Sequence, residues 1–156
     1  MAYELSAVIA GEDVLRAAAR ELPAARTAAL GRGLWLLPMT EALFHAVADG
    51  RDRGALGFRE VPEGFDRLLA GWSAGGPVAY VEAEYFGGAG EQRAAVREGG
   101  TLVLGPLHVG EGEPFPPAGS PLSRALRRVG VTARPGEDEF PTAGLHRHRT
   151  TGDWVA

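Results

Sequence analysis

Apolar positions along the chain recur mainly at spacings of three and four residues, and this period predicts four helices. The clearest case follows Pro62, with apolar residues at positions i, i+3, i+4 and i+7: Phe65, Leu68, Leu69 and Trp72. Thr40 and Ser120-Pro121 are residues that commonly open a helix. The predicted helices are residues 12–22, residues 41–49, the stretch from Pro62 to Gly75, and the stretch from Ser120 to Gly130.

Alternation of apolar and polar residues predicts strands, most regularly in the second half of the chain. Three strands are predicted there as a meander, at 78–86, 92–98 and 101–105, and Gly99-Gly100 suits a type I′ turn. Further strands are predicted at 3–10, 27–30, 34–37 and 56–61. These elements predict a single α+β domain over residues 1–156, whose antiparallel or mixed sheet packs against about four helices.

Two segments lack periodicity. Residues 110–119 are rich in glycine and proline and are expected to form an exposed loop. Beyond Pro135 the chain is polar, and residues 135–156 are interpreted as a tail that is either mobile or docked. Trp154 near its end favours docking.

Composition excludes several classes of function. The 156 residues include no cysteine, which rules out disulfide scaffolds, thiolate zinc sites and cysteine nucleophiles. The first residues do not resemble a signal peptide, and no apolar run reaches the roughly 18 residues of a membrane span, so a cytoplasmic protein with no membrane partner is expected. A net charge of −4 argues against nucleic-acid binding and is compatible with a basic protein partner.

The predicted strand 78–86 carries the main candidate site. Alternation places four side chains on one face: Tyr80, Glu82, Glu84 and Phe86. Arg93 and Arg97 share a face of the next strand, where an antiparallel hairpin would bring them near the two glutamates. This set predicts a solvated ion-pair face, with a protein-binding face and a catalytic carboxylate pair as alternatives.

Other candidate chemistry is weaker. The glycine-rich stretch 86–92 lacks the lysine of a phosphate loop and the spacing of a dinucleotide site, and no serine lies in a Gly-x-Ser-x-Gly motif. His146 and His148 form a His-x-His pair that Asp153 could complete as a metal site, but the neighbouring arginines repel a cation. We therefore predict no catalytic residue, no metal and no cofactor.

The segment Glu84-Tyr-Phe-Gly-Gly-Ala-Gly-Glu-Gln92, together with the preceding residues 78–82, resembles a segment of small uncharacterised actinobacterial proteins. A source of high genomic GC content fits the lack of lysine and asparagine. Some proteins of similar size and acidity are immunity proteins of bacterial toxin systems. The resemblance implies a protein-binding role and assigns no functional residue.

Three functions remain open from the sequence. The favoured one is a non-enzymatic binding protein, for example of the immunity type, that masks a partner through the face with Tyr80, Glu82, Glu84 and Phe86. A small hydrolase or ligand-binding enzyme would require a deep pocket that holds Glu82 or Glu84 together with His108. A structural subunit of a larger assembly would require a sizeable exposed apolar patch.

Overall fold

A computed structural model describes residues 2–48 and 55–156, and in this part of the chain six strands form one antiparallel sheet. The strand order across the sheet is β2-β3-β1-β4-β5-β6, and every neighbouring pair is antiparallel. The predicted α+β single domain is thus confirmed, with the antiparallel sheet of the two alternatives. The strands are β1 (Ala2–Gly11), β2 (Ala28–Ala29), β3 (Leu34–Pro38), β4 (Val78–Phe86), β5 (Ala89–Glu98) and β6 (Thr101–Val109).

Five α-helices occur among the described residues, one more than predicted, and they cover both faces of the sheet. The helices are α1 (Glu12–Glu21), α2 (Glu41–Val47), α3 (Glu63–Trp72), α4 (Pro121–Arg128) and α5 (Glu139–Ala143). Helices α1, α2 and α3 pack on one face, here called the N-terminal face. Helices α4 and α5 pack on the other, the C-terminal face. The molecule therefore has three layers, with the sheet in the middle.

Local hydrogen bonds explain where the helices begin. The Thr40 hydroxyl accepts a bond from the Leu43 amide at 3.2 Å, and the Ser120 hydroxyl accepts one from Ser123 at 3.1 Å. These two bonds cap α2 and α4 as predicted, because a side-chain oxygen satisfies an amide that has no partner within the helix.

Alternation along the strands sorts the core into two halves. In β1, Leu5, Ala7 and Ile9 point to the C-terminal face, whereas Val8 and Ala10 point to the N-terminal face, and all five are buried. Because side chains alternate with a period of two, each central strand contributes to both layers of the core.

The two C-terminal hairpins turn on glycine pairs. Gly87 and Gly88 have φ angles of 63° and 85°, and Gly99 and Gly100 have angles of 56° and 81°. Two successive positive φ angles are typical of the type I′ turn, which matches the twist of the flanking strands. The first turn joins β4 to β5, with Phe86 opposite Ala89.

Three strand predictions were wrong. Strand β5 begins at Ala89 and not at residue 92, because the strand pairing continues to the glycine turn. Strand β6 does not end at residue 105 but continues to Val109, because register shifts opposite Ala94, Val96 and Arg97 accommodate Pro106 at the sheet edge. The strand predicted at 56–61 does not form. In its place a 3₁₀ turn over Ala55–Gly57 leads into a loop that buries Phe58 and Val61.

The last residues pack against the sheet. They contain α5 and 3₁₀ turns over Leu145–Arg147 and Thr151–Val155. Trp154 is buried in the core of the C-terminal face, and the Glu4 amide donates to the Arg149 carbonyl at 2.8 Å. This segment therefore lies beside the first half of β1 and is hydrogen-bonded to it. In the described chain no helix has the length and hydropathy needed to cross a membrane.

Substitution of two glycines tests the hairpin geometry. A Cβ on Gly90 would overlap the Glu84 carbonyl oxygen and lie 2.7 Å from the Tyr85 Cα, whereas one on Gly71 in α3 would meet nothing within 4 Å. We expect Gly90→Ala to destabilise the fold by about 1–3 kcal/mol through forced backbone movement. The matched variant Gly71→Ala should stabilise it by up to about 1 kcal/mol. Urea unfolding of both variants measures the difference, and equal midpoints would contradict the close strand approach at Gly90.

Candidate functional site

A small pocket lies on the N-terminal face, at the end of the sheet where β1 begins and β4 ends. It has a volume of about 150 Å³ and is here called the acidic pocket. Strand pairing brings its walls together in two rows, Glu4–Glu84–Glu91 and Ser6–Glu82–Arg93, each spanning β1, β4 and β5. Its lining residues are Glu4, Ser6, Arg59, Glu60, Glu82, Ala83, Glu84, Glu91 and Arg93.

Glu82 is buried at this site, with 6% of its surface exposed. Its carboxylate accepts hydrogen bonds from the backbone amides of Arg59 and Glu60, both at 2.8 Å, and from the Tyr80 hydroxyl at 3.0 Å. Burial, together with the charge of Glu82, raises the pKa of Tyr80 well above its ordinary value, so this hydroxyl remains a donor. Glu82 thus anchors the loop that brings Arg59 and Glu60 to the pocket.

Glu91 is the centre of the ion pairs. It accepts from Arg93 at 2.8 Å and from Arg59 at 2.5 Å, and His108 Nε2 lies 3.2 Å away. The hydrogen bond from Arg93 is the largest cause that lowers the pKa of Glu91 below its ordinary value, and it outweighs partial burial. Arg59 also bonds Glu84 at 2.9 Å. The two arginines are therefore committed to carboxylates within the site.

Negative charge remains in excess. Among the described residues, the pocket lining includes five carboxylates and two guanidinium groups, a surplus of three. Partial burial and the charges of Glu82 and Glu4 raise the pKa of Glu60 above its ordinary value, even though Arg59 opposes the shift. A further positive charge brought to Glu60 would relieve this repulsion.

An exposed aromatic side chain lies beside the acidic pocket. Phe86 is 80% exposed at the tip of the β4–β5 hairpin. It borders a groove of about 380 Å³ that Arg59, Glu84, Glu91 and Glu111 also line. We call Glu84, Phe86 and Glu111 the acidic rim. It combines an apolar ring with two carboxylates, a composition suited to contact with a basic surface.

The structure separates the residues that the sequence grouped into one solvated face. Glu84 and Phe86 are exposed, but Tyr80 is 2% exposed and packs edge-to-face on Phe58, with ring centroids 4.9 Å apart. Tyr80 and Glu82 are buried because the loop through Phe58 and helix α3 cover this part of the face.

The two candidate arginines also have different partners. Arg93 lies opposite Glu82 in the register but bonds Glu91, its neighbour two residues away on the same strand. Arg97 lies opposite Val78 and pairs with Asp66 of α3 at 3.1 Å. Arg93 therefore belongs to the acidic pocket, whereas Arg97 ties the sheet to helix α3.

Sequence reasoning missed six lining residues: Glu4, Ser6, Arg59, Glu60, Ala83 and Glu91. Glu4 and Ser6 reach the pocket because β1 pairs with β4, about 75 residues later in the chain. Arg59 and Glu60 lie in the stretch that was predicted as a strand. The charged sequence Arg59-Glu60 before Pro62 was the only local signal for them.

The other residues that were candidates for catalysis or metal binding do not come together at one site. His108 is exposed and contacts Glu91, but it does not line the acidic pocket. The His148 ring packs on Trp154, with centroids 4.6 Å apart. Over residues 2–48 and 55–156 there is no group of three or more His, Asp or Glu side chains placed to hold a metal ion.

Comparison with protein-family models, curated proteins and solved structures found no match to this chain. The resemblance of residues 84–92 to small actinobacterial proteins therefore stays a prediction.

Two glutamates of the pocket should respond to pH with opposite signs. A raised pKa means that charged Glu60 destabilises the folded state, so stability is lost as pH rises above the ordinary value of 4.5. A lowered pKa means that charged Glu91 stabilises the folded state. This contribution is present above pH 4.5 and is lost as the pH falls below 4.5. At neutral pH we expect Glu60→Gln to raise the Tm and Glu91→Gln to lower it, and both differences should fade in acid.

Thermal unfolding of each variant across the acid range measures these effects. Glu41→Gln is the control, because the Glu41 side chain is 91% exposed and should change the Tm little at any pH. A lower Tm for Glu60→Gln at neutral pH would show that the charged Glu60 carboxylate stabilises the fold. That result would contradict the inferred repulsion between Glu60 and the neighbouring carboxylates.

Proposed function

We propose that the protein is a non-enzymatic binding module, an immunity-type inhibitor in the bacterial cytoplasm that masks a basic protein partner. The contact surface consists of the acidic rim and the mouth of the acidic pocket. The observation that carries this proposal is the surplus of three carboxylates in the pocket, beside a phenylalanine that is 80% exposed.

Charge supports a basic partner. Glu84 and Glu111 flank the groove beside Phe86, and the net charge of the whole chain is −4. A localised negative field speeds encounter with a positive surface and disfavours acidic partners. The raised pKa of Glu60 indicates that a positive charge placed beside this carboxylate would be favourable. Since a water molecule occupies about 30 Å³, a pocket of about 150 Å³ has room for the end of an arginine or lysine side chain.

Phe86 supplies the apolar part of the contact. Burial of a phenylalanine side chain contributes about 1.5–3 kcal/mol. The type I′ turn at Gly87-Gly88 fixes the backbone of Phe86 at the hairpin tip, so little backbone entropy is lost on binding. Aromatic residues, phenylalanine among them, are enriched in protein interfaces relative to the rest of the surface.

The pocket is small for an enzyme. Binding sites for small molecules usually measure about 300–1,000 Å³, roughly two or more times the volume of the acidic pocket. Glu82 is engaged by three donors, and His108 does not join it in the lining. These features favour a binding protein over the hydrolase alternative.

The exposed apolar residues also disfavour the structural-subunit alternative. Among the described residues, the large hydrophobic side chains that are exposed are Leu56, Phe86 and Phe115. Phe86 and Phe115 line separate grooves. A subunit buried in a larger assembly would require a continuous apolar patch.

Substitutions on the acidic rim test the proposal. Phe86→Ala and Glu84→Arg should each weaken partner affinity about tenfold or more, because each removes a central contact, without lowering the Tm by more than a few degrees. Phe115→Ala is the matched control, since Phe115 is exposed but lies elsewhere. Glu82 is unsuitable for charge reversal, because the loss of its three hydrogen bonds would release the loop at Arg59.

The measurement has two steps. Tagged wild-type protein, Phe86→Ala, Glu84→Arg and Phe115→Ala are used to capture proteins from the native host. A partner retained by wild type and Phe115→Ala but lost with the rim variants is then purified, and its affinity is measured by calorimetry at low and high salt. Affinity should fall with salt. A partner retained equally by all four proteins would place the interface elsewhere, and an acidic partner would refute the proposed charge complementarity.

A further inference from the structure

A second concave site lies on the opposite, C-terminal face of the sheet, where helices α4 and α5 leave the strand ends uncovered. Its volume is about 350 Å³, and four aromatic side chains line it: Tyr3, Tyr85, Phe115 and Phe140. Gln92 and Asp138 are among its polar residues. We call this site the aromatic cleft. We propose that it binds a small molecule that carries an aromatic ring and a cationic amine.

The size and the lining of the cleft suit such a ligand. A volume of about 350 Å³ lies within the usual range of small-molecule sites, which are mainly apolar with a few polar groups. Tyr3 and Phe140 are held edge-to-face, with ring centroids 5.5 Å apart, and the Tyr3 hydroxyl donates to the Leu145 carbonyl at 3.1 Å. Two of the rings are therefore fixed in place before a ligand arrives, which lowers the entropic cost of binding.

The charge at the cleft favours a cation. Asp138 is the only formally charged side chain among the described residues that line it. One of its carboxylate oxygens accepts from the Phe140 amide at 3.0 Å, and this bond holds the side chain at the start of α5. Aromatic rings attract an ammonium group through their negatively polarised faces, so rings and carboxylate act in the same direction.

The backbone amides at the start of α4 are already bonded within the protein and do not offer a free donor to an anionic ligand. The Leu122 amide already donates to Gln92 Oε1 at 3.0 Å, and the Ser123 amide donates to the Ser120 hydroxyl at 3.1 Å. Arg127 lies in the last turn of α4, but its side chain reaches back to bond the Ala118 carbonyl at 3.0 Å and also bonds Glu139 at 3.3 Å. The helix N-terminus and its nearby arginine are thus satisfied within the protein, which disfavours carboxylates and phosphates as ligands.

The aromatic cleft is independent of the proposed protein-binding surface. Tyr3 and Tyr85 alternate with Glu4 and Glu84 along β1 and β4, so the two sites use opposite faces of the same strands. A ligand in the cleft does not touch Phe86. The inference therefore goes beyond the proposed function, and either can fail alone.

Three ligands of similar size and different charge test the inference on the full-length protein: 2-phenylethylamine, 2-phenylethanol and 3-phenylpropionate. Titrations followed by amide chemical shifts should show saturable binding of the amine, with shifts at Tyr85, Phe115 and Asp138. The amine should bind about five- to tenfold more tightly than the alcohol. The carboxylate should bind most weakly.

Two variants separate the ring contact from the charge contact. Phe115→Ala should weaken the amine and the alcohol alike, by about threefold or more. Asp138→Asn keeps an oxygen to cap α5 but removes the charge, so it should abolish the preference for the amine and leave alcohol binding unchanged. Phe86→Ala is the control and should bind all three ligands as wild type does.

Several results would overturn the inference. They are equal binding of the three ligands, no saturable binding of any of them at millimolar concentration, and an unchanged amine preference in Asp138→Asn. Loss of protein-partner affinity in Phe115→Ala, with no binding of the small ligands, would assign the cleft to a protein interface instead. Unfolding curves of each variant exclude misfolding, and chemical shifts of the wild-type protein locate the site without any variant.

Discussion

The register of the β4–β5 hairpin is the constraint on which both surfaces depend. The type I′ turn at Gly87-Gly88 sets Phe86 opposite Ala89, and this pairing in turn sets Glu84 opposite Glu91. Side chains alternate with a period of two, so a slip of β5 by one residue would move Glu91 and Arg93 to the opposite face of the sheet. The glycine turn therefore determines which residues meet, although glycine itself contributes no chemistry to the site.

Glu82 converts that register into a three-dimensional site. A buried carboxylate is costly unless hydrogen bonds replace its lost hydration, and here two backbone amides and the Tyr80 hydroxyl do so. The two bonds from the backbone amides hold the loop at Arg59 against the sheet. Arg59 then reaches Glu84 and Glu91, so one buried acid organises the exposed charges around it. Half of the face predicted to be solvated, Tyr80 and Glu82, is therefore buried, and the other half, Glu84 and Phe86, is exposed.

Local patterns in the sequence predicted those parts of the fold that local physics determines. The period of α3 and the cap at Ser120 were sufficient to place helices, and glycine pairs were sufficient to place turns. Only the part of the acidic pocket that lies on β4 and β5 could be predicted, because these two strands are consecutive in the sequence. Glu4 joins it through the pairing of β1 with β4, and no local pattern specifies that strand order. The prediction of a strand at 56–61 was wrong because Phe58 and Val61 are buried in a loop that packs with helix α3, and not in a strand.

The two surfaces arise from one feature, the strand ends that the helical layers do not cover. In the first residues of β1, Tyr3 faces the aromatic cleft and Glu4 faces the acidic pocket, and Tyr85 and Glu84 repeat this division on β4. Elsewhere in β1 and β4 both faces carry apolar residues, because helices cover both. In these two strands, glutamate and tyrosine alternate at the ends that the helices leave uncovered. Since the backbone of β4 lies between the two sites and is hydrogen-bonded on both sides, each site has a rigid floor whether or not the other is occupied.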